Sequence, residues 1–154
     1  MVDPEAPVRM SPPPPAVLRV INPVMRRLLV STLAHRLPSS MHVLEYEGQR
    51  SGKRFAIPVG VHEVGGKGSV VFTEAPWRRN FEGGRQLTLH RGSNRRPGHG
   101  VLVEDPGAVA DALADAVAKV GPRGLAMKVA PGHEITRQDL VRLGRTMIRV
   151  QLDR

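Results

Sequence analysis

The chain has 154 residues and no cysteine, so disulfides, thiol catalysis and cysteine-ligated zinc are excluded, and its length suits one domain with one main core. Hydrophobic residues make up 40% but aromatics only 3%, so the interior must be built from Val, Leu, Ile, Ala and Met. The net charge of +9 draws polyanions: nucleic acid, anionic lipid or a phosphorylated cofactor. A single-strand nucleic-acid binder needs several stacking aromatics, and the chain offers Tyr46, Phe55, Phe72, Trp77 and Phe81 with no aromatic–basic repeat, so nucleic acid is not expected. No apolar run reaches about 18 residues, and Asp3, Glu5 and Pro12 to Pro15 interrupt what a secretory signal would need, so a cytoplasmic location is expected.

Residues 1–15 hold six prolines and read as an extended, mobile leader; residues 16–154 read as a single domain. Asn22-Pro23 starts a helix, with Asn as cap and Pro in the first turn, and Pro38 limits it to about Arg36. A helical lead-in is expected around Val17–Ile21. Met25, Leu28, Leu29, Val30 and Leu33 give the helix a broad apolar face. Packing on the sheet is the plainer use of that face; peripheral membrane contact through residues 16–36 is the sharper one.

Strands follow. Met41–Glu47 alternates weakly, and Phe55, Ile57, Val59 and Val61 alternate strictly with Ala56, Pro58, Gly60 and His62. Pro58 marks that strand as an edge, a bulge or a backbone left free for another purpose. Gly65 to Gly68 is a hairpin turn into Ser69–Thr73. Leu87–Arg91 and Gly98–Glu104 form a second hairpin across a polar loop, Gly92–Pro97. Asp105-Pro106 opens a helix whose apolar positions run from Val109 to Val120 and which Gly121-Pro122 ends. Residues 122–134 read as loop. Thr136 and Asp139 form a capping box for a short helix to Leu143, and Ile148, Val150 and Leu152 alternate in a closing strand. The whole predicts an α+β fold, mainly β: a small barrel of five or six short, mostly antiparallel strands with helices packed outside.

Two segments carry ligand chemistry. Arg50, Ser51, Gly52, Lys53 and Arg54 place guanidinium groups, a hydroxyl and an ammonium on one tight loop before a strand, suited to a phosphate or carboxylate tail; a solvated hairpin tip is the plainer reading. Pro76 begins a helix that carries Trp77, Asn80 and Phe81; Trp77 suits either stacking on a planar ligand or packing into the core beside Phe81, four residues on, and Phe81 suits the core. The six histidines lack metal-ligand spacing, no metal site is expected, and no Ser/His/Asp set can be assigned. A cofactor would have to supply any hard chemistry.

Arg50-Ser51-Gly52-Lys53, then Ile57-Pro58-Val59, then Pro76 to Phe81, Leu87–Gly92 and Val103 to Pro106 occur in an order that resembles the deazaflavin-dependent nitroreductase family, F420-dependent reductases with a split β-barrel. The resemblance spans about residues 22–152. It implies coenzyme F420, with FMN as the alternative, and hydride transfer to a quinone-like, nitro or enone substrate without a catalytic nucleophile. It implies that Arg50, Ser51, Gly52, Lys53 and Arg54 grip the cofactor tail, that Ile57, Pro58 and Val59 lie beside the ring, and that Phe72, Thr73, Trp77 and Asn80 surround the cleft. The Phe72–Trp77 stretch is shorter than in many members, and Tyr46 is the only tyrosine. A non-catalytic carrier of a flavin, haem or lipid on the same fold is the other reading left open, as is a homodimer.

Overall fold

A strand that is covered on both faces buries successive residues on opposite sides. Strand β2 (Met41–Glu47) does this: Leu44 and Tyr46 turn to one side and Val43 to the other, and all three are buried. The computed structural model describes residues 6–11, 23–65 and 68–153. Within them β2, β3 (Arg54–Gly60), β4 (His62–Glu63), β5 (Ser69–Phe72), β6 (Arg85–Arg91), β7 (Asn94–Val103) and β9 (Met147–Leu152) form one antiparallel sheet in the order β3-β2-β6-β7-β9-β5-β4. The sheet curls into a half-barrel. β3 and β4 are the two end strands, yet Val61 alone separates them in the chain. The chain therefore steps from one sheet edge to the other and closes the lower end of the barrel. Higher up, β3 and β5 approach each other without pairing, which is the split.

The inner face buries Leu44, Tyr46, Val59, Val71, Leu87, Leu89, Ile148 and Val150, and Phe81 closes it from above. Two glycines on β7 permit this packing. A Cβ on Gly100 would lie 2.7 Å from Leu87 and 3.0 Å from Phe81, and one on Gly98 would lie 2.6 Å from the Gln151 carbonyl. The outer faces of β5 and β9 carry a second apolar layer under α2 (Pro106–Val120), where Val70 and Met147 meet Val109, Leu113 and Ala116. Asp105 caps α2 through the Ala108 N–H, and Thr136 and Asp139 close a reciprocal capping box on α3 (Arg137–Arg142), both as expected.

Four expectations are corrected. The leader is not free throughout: β1 (Val8–Met10) pairs antiparallel with β8 (Met127–Val129), inside the stretch read as loop, because Val8 and Met127 bury their side chains in the layer under α2. The first helix, α1 (residues 23–29), stops early. The Ser31 hydroxyl donates to the Leu28 carbonyl and accepts from the Leu33 N–H, and a 3-10 turn, Thr32–Arg36, follows. The Arg91 guanidinium then gathers the carbonyls of Ala34, Leu37, Pro38 and Met41 at 2.6–2.9 Å, fixing the approach to β2. The polar loop Gly92–Pro97 shrinks to a two-residue turn, since Arg91 pairs with Asn94 and Leu89 with Arg96. Pro97 is tolerated inside β7 because its carbonyl accepts from the Asp153 N–H on the side where β9 has ended, so its missing N–H costs no ladder bond. The Val17–Ile21 lead-in, the Asn22 cap, and Gly66 and Lys67 of the hairpin turn lie outside the described residues.

Candidate functional site

The turn between β2 and β3 is built from the backbone outward. The Gly48 N–H donates to the Lys53 carbonyl at 2.7 Å and the Gly52 N–H to the Gly48 carbonyl at 3.0 Å. Gly52 sits at φ +66, where a side chain would strain the turn. Gly48 has no room for a Cβ, which would stand 2.9 Å from the Phe55 ring. The Ser51 Oγ accepts from the Lys53 N–H at 3.2 Å. With its backbone fixed, the turn exposes Arg50, Ser51, Gly52, Lys53 and Arg54 to solvent. Among the described residues, the charged heads of Arg50, Lys53 and Arg54 have no ion pair or hydrogen bond.

Asn80 joins this turn to the second candidate segment, the 3-10 helix Pro76–Phe81. Its Oδ1 accepts from the Gln49 N–H at 2.8 Å, and its Nδ2 donates to the Trp77 carbonyl at 2.8 Å. Arg85 braces the same junction, donating to the carbonyls of Asn80 and Glu47 at 3.0 and 3.2 Å. Two stretches 31 residues apart thus form one rigid corner at the upper end of the barrel.

Beneath the corner lies an aromatic stack. Tyr46 is flanked by Phe55 at 5.4 Å and Trp77 at 6.0 Å, both near parallel, and meets the edge of Phe81 at 5.3 Å. Tyr46 and Phe81 are buried, Trp77 is half-buried, and Phe55 is 42% exposed. Burial pushes the Tyr46 hydroxyl above its ordinary pKa, so it stays protonated and acts as packing.

β3 supplies a free edge. Val61 and Lys53 bond toward the β2 side through Ser40 and Gly48, so the odd-numbered residues between them face the ladder and the even-numbered ones face away. Pro58 therefore loses no ladder bond, as its edge reading requires. The outward Ala56 carbonyl meets the Arg26 guanidinium of α1 at 3.3 Å, and the N–H groups of Ala56 and Gly60 face the same outward side. Ile57 and Val59 turn their side chains into the barrel.

Across the split, Phe72 and Thr73 stand apart from the corner. Phe72 packs on the layer under α2, with His62 at 5.9 Å and the Arg145 guanidinium at 5.7 Å. The Thr73 hydroxyl accepts from the Ala75 N–H, and Thr146 caps the Thr73 carbonyl, so Thr73 shapes the strand exit. Arg78 donates to the carbonyls of Glu74 and Ala75, while its Nε is buried without a partner.

The structure thus gathers residues 50–54, Trp77 and Asn80 at one corner, sets Pro58 on the adjoining edge, and assigns Ile57, Val59 and Phe72 to packing. Sequence reasoning missed Tyr46, Phe55, Arg26, Arg78 and Arg85. The pairing of Glu47 with Arg54 across the turn would have revealed the first two, since it puts Tyr46 directly opposite Phe55. Beside the corner an open groove of about 660 Å³ runs past Arg54, Ala56, Arg85 and His99, with Glu47 and Asp153 also on its wall. Among the described residues, no cluster of His, Asp and Glu has metal-binding geometry, and no helix is long and apolar enough to cross a membrane. In comparisons with known proteins, no family model and no curated sequence matches the chain.

Proposed function

We propose that the protein binds coenzyme F420 at the upper corner of the barrel and acts as an F420H2-dependent reductase of a quinone-like, nitro or enone substrate. The observation that carries this reading is the Asn80 bridge, which fastens to the Trp77 segment a turn whose three cations have no partner among the described residues. The residues present fit the cofactor's charge: Arg50, Lys53 and Arg54 suit a phosphate followed by carboxylates, whereas FMN, the alternative, brings the phosphate alone. The outward-facing N–H groups of Ala56 and Gly60 add backbone donors along the β3 edge.

When bound, the reduced deazaflavin supplies the hydride. The protein's own part is to hold and orient. The three cations fix the tail, the β3 edge offers backbone donors to polar atoms lying along it, and Trp77 with Phe55 keeps water from that end of the interior. The net charge of +9 raises the encounter rate with a polyanionic ligand. The substrate would be a small apolar or quinone-like molecule and the location cytoplasmic. Val24, Val30 and Leu33, exposed beside Arg26 and Arg27, would provide peripheral membrane contact.

Titration of F420 fluorescence with purified protein tests the reading; absence of binding at micromolar cofactor overturns it. Lys53→Ala with Arg54→Ala is expected to weaken binding by about 10²–10⁴-fold, at roughly 1.5–3 kcal/mol for each of the two charged hydrogen bonds. The loss should shrink for a cofactor cut back to its phosphate; an equal loss for both rules out the tail assignment. A second reading, a carrier without turnover, is favoured by the stacking of Tyr46 between Phe55 and Trp77 and against the Phe81 edge, which commits the ring of the chain's one tyrosine to packing. Mass spectrometry of the ligand extracted from the protein, together with an assay of F420H2 oxidation by menadione, separates the two.

A further inference from the structure

The lower end of the barrel holds a second cleft, of about 440 Å³, within the usual size range of small-ligand pockets. It lies six residue steps along β2 and β3 from the basic turn, about 20 Å at roughly 3.3 Å per residue. Its walls come from both apolar layers. Val61, Leu89 and Leu152 belong to the inner face of the barrel, and Ala116 and Val120 to the last turns of α2. Arg96 stands opposite Leu89 across the β6–β7 pair, so it too is on the inner face, at the mouth. Among the described residues its guanidinium has no ion pair or hydrogen bond.

The other polar groups narrow the ligand. The Lys119 ammonium is already committed to the Glu63 carbonyl at 3.0 Å. The Nδ1 of His42 bonds the Ser40 carbonyl, and burial lowers the pKa of both His42 and His62 below the ordinary value, which keeps them neutral near pH 7. The Glu63 carboxylate is on the rim. Arg96 and Lys119 against the Glu63 carboxylate leave one net positive charge, which favours a single negative charge over a dianion, and the planar fork of arginine matches a carboxylate in two parallel bonds. Ser39, Ser40 and Ser69 line the same mouth and offer hydroxyls.

We propose that this cleft binds a small amphiphilic monocarboxylate, with its head on Arg96 and its apolar body against Val61, Leu89, Leu152 and Val120. The site is separate from the upper corner, so the proposal does not rest on the cofactor reading.

The test is NMR titration of the full chain with sodium octanoate, octanol and octyl phosphate, following the ring protons of His42 and His62 and the indole of Trp77. Octanoate is expected to shift both histidines saturably below about 1 mM and to leave Trp77 unmoved. Octyl phosphate should bind more weakly than octanoate. Arg96→Gln, a change at the rim, should weaken octanoate at least about tenfold while octanol changes less than about twofold. Val120→Asp, on the exposed end of α2, should weaken octanoate and octanol alike. The proposal is overturned if the histidines do not respond to octanoate, if Trp77 responds in their place, if octyl phosphate binds as tightly, or if either variant leaves octanoate binding unchanged.

Discussion

The inside of the barrel and the layer under α2 bury their side chains in different ways. The interior takes Tyr46, Phe81 and the faces of Trp77 and Phe55, and it accommodates them only because Gly98 and Gly100 hold the neighbouring strands close. The outer layer is aliphatic apart from Phe72 at its border, and small residues such as Ala110, Ala112 and Ala116 let α2 lie flat. The interior is therefore continuous with the upper corner, through Tyr46, Trp77 and Asn80. The outer layer contributes stability without touching that corner.

The sharpest way to break this contrast is a pair of truncations. Phe81→Ala should cost about 3–5 kcal/mol and Leu113→Ala about 2–5 kcal/mol, read from urea unfolding. The folded Phe81 variant should also shift the emission of Trp77, the only tryptophan, while the folded Leu113 variant should not. A Trp77 shift in both would merge the two regions into one. Next, Gly100→Ala should destabilise by about 1–3 kcal/mol, because Leu87, Ile148 and Phe81 close on the added methyl; a neutral result would mean that the interior is loosely filled.

Asn80→Ala should cost about 1–3 kcal/mol, since the Gln49 N–H loses its acceptor, and should speed hydrogen exchange at that amide selectively. Uniform acceleration along β2 and β3 would show that the corner is not a separate unit. The smallest effect belongs to the far side of the outer layer. The Thr136 backbone N–H, and then His133 at 2.8 Å, hold the Asp139 carboxyl down at about 2 from an ordinary 3.8. A depressed acid stabilises the fold above its unfolded pKa, so this contribution is full above about pH 4 and fades as pH falls toward 2. Asp139→Asn should cost about 1 kcal/mol at pH 7 and flatten that acid limb, leaving Trp77 emission unchanged.

What the sequence revealed and what it hid follow the same division. Local rules exposed both caps, the β2–β3 turn and the closing strand, because each depends on a few adjacent residues, whereas Pro58 alone left an edge, a bulge and a freed backbone open. β7 was half hidden: Asn94, Arg95, Arg96 and Pro97 read as loop, yet the ladder with Arg91, His90, Leu89 and Thr88, prolonged at Gly98 by Leu152 of β9, makes them strand although their side chains show no apolar alternation. β1 and β8 were hidden for a similar reason, since three-residue strands form only when a distant partner and a shared core select them. At the corner, the cations and Trp77 were legible as chemistry. The Asn80 tether was not, because a hydrogen bond to a backbone 31 residues away leaves no periodic trace.

Pro58 has one more consequence. An exposed sheet edge is a template on which other chains can add strands. In β3 the outward-facing positions are Arg54, Ala56, Pro58 and Gly60; the proline withholds one donor, and Arg26 occupies the Ala56 acceptor. Runaway stacking of one molecule on the next is thus blocked along the same strand whose neighbouring backbone remains open to a ligand. If that strand also binds the proposed ligand, sequence changes at the β3 edge that improve colloidal stability will be felt in recognition.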